Sequence, residues 1–259
     1  VERRPVIATS LSNEASGNLV EAYLHLGRAV PGSRQRQTAA YLSCESELAH
    51  PIGNFAALLD LDIWSARELK EVAWRRPAYS VYVTPGDQPE NIADLLKKAD
   101  FELSYRLTQM IAPITEGPSL TGPELEPKIA EGPDERRQVA EFMVEQFFTR
   151  RNTEFRKRIA LATAGANDLA LYSVEDRGRI AAAVMLCHTR GMLGVYNLCV
   201  ASNRRGWGIG SALLNWTLSV ARLEGCSTTL QCDRSLLDWY SYRGFCPSGA
   251  VDVYSLAKR

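Results

Sequence analysis

Residues 200–214 read VASNRRGWGIGSALL, and this stretch decides the fold. An apolar strand end at Val200 runs into a turn with glycine at 206, 208 and 210, and an apolar helix opens from Ser211. Glycine has no β-carbon, so such a backbone lies close to a ligand and aims successive N–H groups at it, where the opening helix adds its positive dipole end. Arg205 adds a permanent positive charge. The guest suited to this turn is a diphosphate, whose oxygens accept several backbone hydrogen bonds while dipole and guanidinium match its charge.

Two widespread glycine-rich loops fail on spacing. A Walker loop ends in Gly-Lys-Ser/Thr, and here Gly210 is followed by Ser211 and Ala212. A dinucleotide fingerprint needs a third small residue after two spacers and an acidic residue about twenty positions further on. Counting from Gly206 reaches Ser211 and counting from Gly208 reaches Leu213, with no acidic residue at the required distance on a strand end. What remains is Arg205-x-x-Gly208-x-Gly210, which with Val200 and Leu213 resembles the acetyl-coenzyme A signature of the GCN5-related N-acetyltransferases (the GNAT family). A second element agrees in register. Residues 239–245 read WYSYRGF, and the family places a tyrosine five residues before the phenylalanine of a Gly-Phe pair; Tyr240 stands there before Gly244 and Phe245. Between the two motifs lie a helix over 211–224, with Leu213, Leu214, Leu218 and Ala221 at helical spacing, a stop at Gly225 and a strand over 228–232.

The resemblance covers residues 127–259 and implies an α/β acyl-CoA N-acyltransferase (GNAT) fold, a mixed twisted sheet flanked by helices. The preceding order agrees: a strand at 128–131, helices at 135–148 and 154–164, strands at 169–175 and 180–188 joined by the turn Asp176-Arg177-Gly178, then a strand at 194–200. Pro113, Gly117, Pro118, Gly122, Pro123 and Pro127 break every periodicity, so 114–126 reads as a linker. Ahead of it, 54–61, 65–74, 79–84, 90–99 and 101–112 read strand, helix, strand, helix, strand. The segment LLKKADFEL overlays WYSYRGF, with Leu96 at the place of Tyr240 and Asp100 at that of Gly244. Residues 1–113 are therefore expected to be a degenerate GNAT-like domain without a glycine cradle, giving two tandem copies with the catalytic one at 127–259; an unrelated α/β domain is the alternative.

The cofactor-binding set implied by the resemblance is Leu198, Cys199, Val200, Arg205, Gly206, Trp207, Gly208, Ile209, Gly210, Ser211 and Asp233. The family lays the pantetheine arm of acetyl-CoA beside the strand ending at Leu198, Cys199 and Val200, where a splay leaves N–H groups free to meet an oxyanion. Asp233 stands where the family has asparagine, and a carboxylate accepts but cannot donate there. Tyr240 is the candidate catalytic acid for the departing thiolate, since a phenol near pKa 10 and a thiol near 8.5 are close to balanced. Tyr242 is expected to point elsewhere. The family's usual base positions hold Gly194 and Tyr196, leaving a water chain, Tyr196, Glu175 or His188 for that work. Cys199 on the cofactor strand is expected to be buried packing rather than a nucleophile. Trp207 covers the diphosphate or adenine, or else serves as a homodimer contact. The basic run Arg150, Arg151, Arg156, Lys157 and Arg158 borders the acceptor site in this family, or is a solvated helix face.

The function expected is acetyl-CoA-dependent transfer of acetyl to a primary amine on a small molecule or peptide. A non-catalytic acyl-CoA sensor and an aminoacyl or longer-acyl transferase on the same scaffold are the rivals. At 259 residues, two domains can each bury a core. Thirty acidic and thirty basic residues leave no field to recruit nucleic acid or an anionic membrane, and no apolar run reaches spanning length. Six cysteines occur singly, without zinc spacing, so no metal is expected and a cytoplasmic location with reduced thiols is. The sequence opens at Val1 without a signal peptide, and trimmed or missing leading residues are expected.

Overall fold

The computed structural model describes residues 8–114, 125–149 and 151–257; the linker positions 115–124, and Arg150, lie outside them. The N-terminal half runs α1 (Thr9–Arg28), β1 (Arg34–Gln37), β2 (Leu42–Glu45), β3 (Phe55–Ala57), α2 (Ile63–Arg75), β4 (Ser80–Val83), α3 (Ile92–Lys98) and β5 (Phe101–Ala112). The C-terminal half runs β6 (Lys128–Ile129), α4 (Pro133–Phe147), α5 (Thr153–Gly165), β7 (Ala170–Asp176), β8 (Arg179–Thr189), β9 (Met192–Val200), α6 (Ile209–Leu223), β10 (Ser227–Cys232), α7 (Leu237–Ser241) and β11 (Cys246–Leu256). Local chemistry sets the boundaries. Pro133 opens α4 while Glu135 accepts from the Gly132 N–H at 3.2 Å, and Asn152 caps α5 by accepting from the Phe155 N–H at 2.8 Å. Arg177 and Gly178 both take positive φ, the turn that the twist of the β7–β8 hairpin requires.

The eleven strands of the described residues join one sheet, in the order β1-β2-β3-β4-β11-β5-β10-β9-β8-β7-β6. Its centre is an exchange between the halves. Strand β5 lies between β10 and β11, and β11 lies between β4 and β5, along an antiparallel ladder from Phe101 opposite Leu256 to Ile111 opposite Cys246. Each half thus lends its last long strand to the sheet of the other. The runs β3–α2–β4–α3–β5 and β9–α6–β10–α7–β11 have the same order, and β3 pairs β4 in parallel as β9 pairs β10. Asp100 (φ 63°) and Gly244 (φ 87°) both take left-handed backbone before the last strand of their run. The strand expected over 54–61 stops at Ala57, because Leu58, at φ 54°, turns the chain off the sheet.

Helix α1, which sequence periodicity did not single out, binds the halves together. Leu19, Val20 and Leu24 pack on Phe55, Tyr82, Val251 and Val253, while Ala22 and Leu26 join Met143, Ile159 and Met185. Buried Asn18 donates to the Cys187 carbonyl (3.0 Å) and the Thr189 hydroxyl (2.8 Å), so a residue early in the chain closes the C-terminal sheet. Leu213, Leu214 and Leu218 of α6 cover the other face against Val184, Leu186, Leu193 and Leu230. Among the described residues no helix is long and apolar enough to cross a membrane.

Candidate active site

The glycine turn leaves the sheet at Val200 and passes through a short 3-10 segment, Ser202–Arg204. It reaches α6 through two left-handed glycines, Gly206 (φ 81°) and Gly208 (φ 80°). The first helical bond of α6 runs from the Ala212 N–H to the Gly208 carbonyl at 2.9 Å, and no side chain caps the end. The N–H groups of Ile209, Gly210 and Ser211 therefore begin the helix without an intrahelical acceptor, as an anion site requires. A β-carbon on Gly210 would sit 3.3 Å from Val200 Cγ2, so the helix start passes tight against the strand end. Arg205 donates from Nε to the Val200 carbonyl at 3.1 Å, so part of its guanidinium ties the turn to β9. Trp207 is two-thirds exposed, with the Arg204 guanidinium 5.1 Å from its ring while Arg204 pairs with Asp176 at 2.7 Å.

Arg243, which motif reading passed over, fastens α7 to this cradle. It donates to Ser211 Oγ at 2.6 Å and to the Trp239 carbonyl at 2.7 Å, and stacks 3.9 Å from the Trp239 ring. Its place beside Gly244 was visible in the sequence; its partner on α6 was not. Tyr240 packs edge-on against Trp239 (4.7 Å) and Phe245 (5.7 Å). Burial pushes its phenol up to about 12, with the adjacent Cys232 adding to the rise and Arg243 opposing it. Tyr242 points to solvent.

Between cradle and tyrosine the sheet opens. Strands β9 and β10 pair only from Met192 opposite Ser227 to Gly194 opposite Thr229, then diverge. On the other side of β9, Ala183 faces Cys199 but Met185 faces Tyr196, so one residue of β8 spans Asn197 and Leu198. That is a β-bulge, with Asn197 at φ 50°. A cavity of about 280 Å³ fills the opening, lined by Leu198, Leu230, Gln231, Cys232, Asp233 and Tyr240 among others. The structure thus brings Leu198, Asp233 and Tyr240 together, with Cys199 and Val200 behind Leu198 and the turn 205–211 at the end of the same strand. Asp233 has another occupation. Its Oδ1 accepts from the Ser235 N–H at 2.9 Å, capping a 3-10 turn, and that bond holds its carboxyl below the usual range. The Cys199 thiol is buried and pushed up to about 12, which leaves no thiolate for covalent chemistry.

The candidate bases fall away for separate reasons. Tyr196 donates its hydroxyl proton to Asn18 Oδ1 at 2.7 Å, and burial raises its phenol well above the usual value, so it takes no proton. Glu175 pairs with Lys128 at 3.5 Å, and His188 with Glu224 at 3.1 Å; neither lines the opening. A second cavity, of about 360 Å³, shares Tyr23, Tyr82, Phe147, Tyr196 and Asn197 with the first and extends between the halves to His50, Tyr105 and Phe148. His50 Nδ1 accepts from the Ile52 N–H at 3.2 Å, and burial with the nearby Arg151 charge pushes the imidazole down to about 4. It is a neutral donor through Nε2, not a base. These wall residues escaped sequence reading because the N-terminal half supplies Tyr23, His50, Tyr82 and Tyr105 from four segments distant in sequence. Of the basic run, Arg156 and Lys157 line a separate groove between α4 and α5 with Glu141 and Glu145.

Residues 136–245 match the profile of the acetyltransferase (GNAT) family, from within α4 to the phenylalanine that follows Tyr240. No curated protein matches the chain by sequence. Among solved structures, the chain is similar to a GCN5-related N-acetyltransferase from Kribbella flavida, with a TM-score of 0.66 at 12% identity, covering 93% of this chain and 96% of that one. It is also similar to a tandem GNAT protein from the clavulanic acid biosynthesis pathway (TM-score 0.60, 12% identity, 96% of each chain covered). A GNAT-family acetyltransferase from Colwellia psychrerythraea gives a TM-score of 0.53 at 13% identity, covering 98% of this chain and 99% of that one. The chain has the GNAT fold and carries, over residues 136–245, a domain of the GNAT acetyltransferase family.

Proposed function

We propose that this protein transfers an acetyl group from acetyl-CoA to a primary amine by direct attack, with the cofactor cradle and the acid both supplied by the C-terminal half. The observation that carries this reading is the joint placement of three features: the glycine cradle at the end of β9, the bulged and splayed stretch 197–200 beside it, and Tyr240 lining the same opening. The uncapped N–H groups of Ile209, Gly210 and Ser211 would bind the diphosphate, with Arg243 fixing Ser211 in place. Backbone N–H groups freed by the splay would stabilise the oxyanion as the amine attacks, and Tyr240 would give its proton to the departing sulfur. Six free cysteines suit a reducing compartment, and we place the protein in the cytoplasm on that ground.

The N-terminal half reads as a degenerate copy because its corresponding places are filled. At the start of α2 the chain supplies its own anion: Asp62 Oδ1 accepts from the Trp64 and Ser65 N–H groups at 3.0 and 2.7 Å. Beyond β3, Gln88 exchanges backbone bonds with Leu59 (2.8 Å) and Leu61 (2.9 Å), which zips shut the gap that β9 and β10 leave open. Calorimetric titration of the full chain is therefore expected to give one coenzyme A per chain, and a stoichiometry of two would overturn the assignment.

Among the described residues no carboxylate lines the second cavity, and the one lining the first, Asp233, is engaged as a cap. The acceptor must then lose its proton to water. The logarithm of kcat/KM is expected to rise with pH at unit slope up to the acceptor's own pKa, about 10 for an alkylamine. A plateau above an apparent pKa near 7 would reveal a base on the protein. The same missing carboxylate favours a non-catalytic acyl-CoA sensor as the second reading, which Tyr240 at the opening opposes.

A further inference from the structure

We infer that the acceptor is a primary amine on a compact aryl or alkyl body without a carboxylate, bound in the chamber between the two halves. This deepens the transferase reading and rests on it for turnover, though not for binding. The chamber of about 360 Å³ adjoins the thioester opening through Tyr23, Tyr82, Phe147, Tyr196 and Asn197, which line both. Its size is at the lower end for small-molecule sites, about 300–1,000 Å³. Among the described residues, none of those lining it is Asp, Glu, Lys or Arg.

The wall is aromatic. Tyr23 lies 5.0 Å from Tyr82 and 5.8 Å from Phe55 between ring centroids, and His50 lies 5.3 Å from Phe148. Two of its polar atoms are committed, while the Tyr82 hydroxyl is buried without a partner among the described residues and His50 Nε2 is left as a donor. The Tyr196 hydroxyl donates to Asn18, His50 Nδ1 accepts from Ile52, and burial raises the phenols of Tyr23 and Tyr82, which stay neutral. A carboxylate brought here would find no cationic side chain in the described wall to pair with, Arg151 acting on His50 from outside it, and the several hydroxyls of an amino sugar would need more partners than the Tyr82 hydroxyl and His50 Nε2 supply. An ammonium group fares differently. Ring faces attract it on entry, and desolvation without an anion nearby then lowers its pKa, which favours the neutral nucleophile where no protein base is placed to make it.

The test uses the full chain and pairs of amines differing by one carboxylate: phenethylamine against phenylalanine, and n-pentylamine against norleucine, followed by free-thiol release from acetyl-CoA. Within each pair, kcat/KM is expected to be at least 100-fold higher for the amine lacking the carboxylate. Tyr105, 43% exposed at the rim, offers a charge test. Tyr105→Arg should narrow both ratios at least tenfold while coenzyme A affinity stays unchanged. Calorimetry of phenethylamine with the protein–coenzyme A complex separates the two readings. Binding without thiol release supports the chamber assignment and overturns the transferase. Equal kcat/KM within the pairs, preference for glucosamine over phenethylamine, or no binding of phenethylamine overturns the chamber assignment.

Discussion

Gly208→Val is expected to weaken coenzyme A binding at least 100-fold, about 2.7 kcal/mol, while the protein stays folded. Gly208 is the N-cap of α6 at φ 80°, a conformation that costs a residue with a β-carbon about 1–2 kcal/mol and a β-branched one more. The turn is exposed and packs little, so it relieves that strain by rotating, and rotation carries the N–H groups of Ile209 and Gly210 off their common direction. Gly210 should respond for a different reason. Its conformation is helical, and an added methyl meets Val200 Cγ2 at 3.3 Å, a contact that yields by a few tenths of an ångström, and Leu198 Cδ2 at an ordinary 4.0 Å. Gly210→Ala is therefore expected to cost about tenfold, and Gly210→Val far more. Gly178→Ala is the control, with the same kind of backbone strain (φ 72°) in the β7–β8 turn and open space around it. It should lower the melting temperature without touching coenzyme A affinity. Unchanged calorimetric affinity in a folded Gly208→Val protein would remove the cradle from the proposal.

The difference between these glycines shows what a sequence can carry. Spacing alone located the turn, the helix α6 and the β7–β8 hairpin, because each depends on neighbours within a few residues: a left-handed glycine, an apolar repeat, a turn pair; the place of Tyr240 came from the family resemblance. The chamber depends on contacts across the whole chain. Asn18 meets Tyr196 178 positions later, and its oxygen occupies the space that a side chain at position 194 would need, which accounts for Gly194 standing where a base was sought. The exchange of β5 and β11 was equally hidden. Both are long strands of alternating character, and nothing local says that each pairs with the other rather than closing its own half. Even the echo between LLKKADFEL and WYSYRGF acquires a physical content only in the structure, where Asp100 and Gly244 share positive φ although one of them has a side chain.

Tyr240→Phe is expected to lower kcat about 100-fold or more and leave the affinity for coenzyme A nearly unchanged, because the lost interaction forms as the sulfur departs. The substitution keeps the ring contacts with Trp239 and Phe245, so the opening should keep its shape. At ordinary values a phenol near 10 and a thiol near 8.5 are roughly matched, but burial moves Tyr240 to about 12, which would make the transfer uphill toward a thiolate in water. In the proposed reaction the thiolate does not depart into water. Cys232 lines the same cavity and is pushed up to about 11 by the same burial, so a sulfur leaving beside it regains basicity close to that of the phenol. The match is thus restored inside the site. The proposed role also sets the pH dependence: as an acid Tyr240 would act protonated, its pKa is raised, and activity is expected to be lost only as pH rises through about 12. Between pH 7 and 10 the profile should show the acceptor's rising limb with no falling limb from this tyrosine. Single-turnover measurements with a competent amine separate the outcomes, since parent-like chemistry in Tyr240→Phe would assign the proton to water, whereas a rate loss with unchanged affinity places the acid at Tyr240.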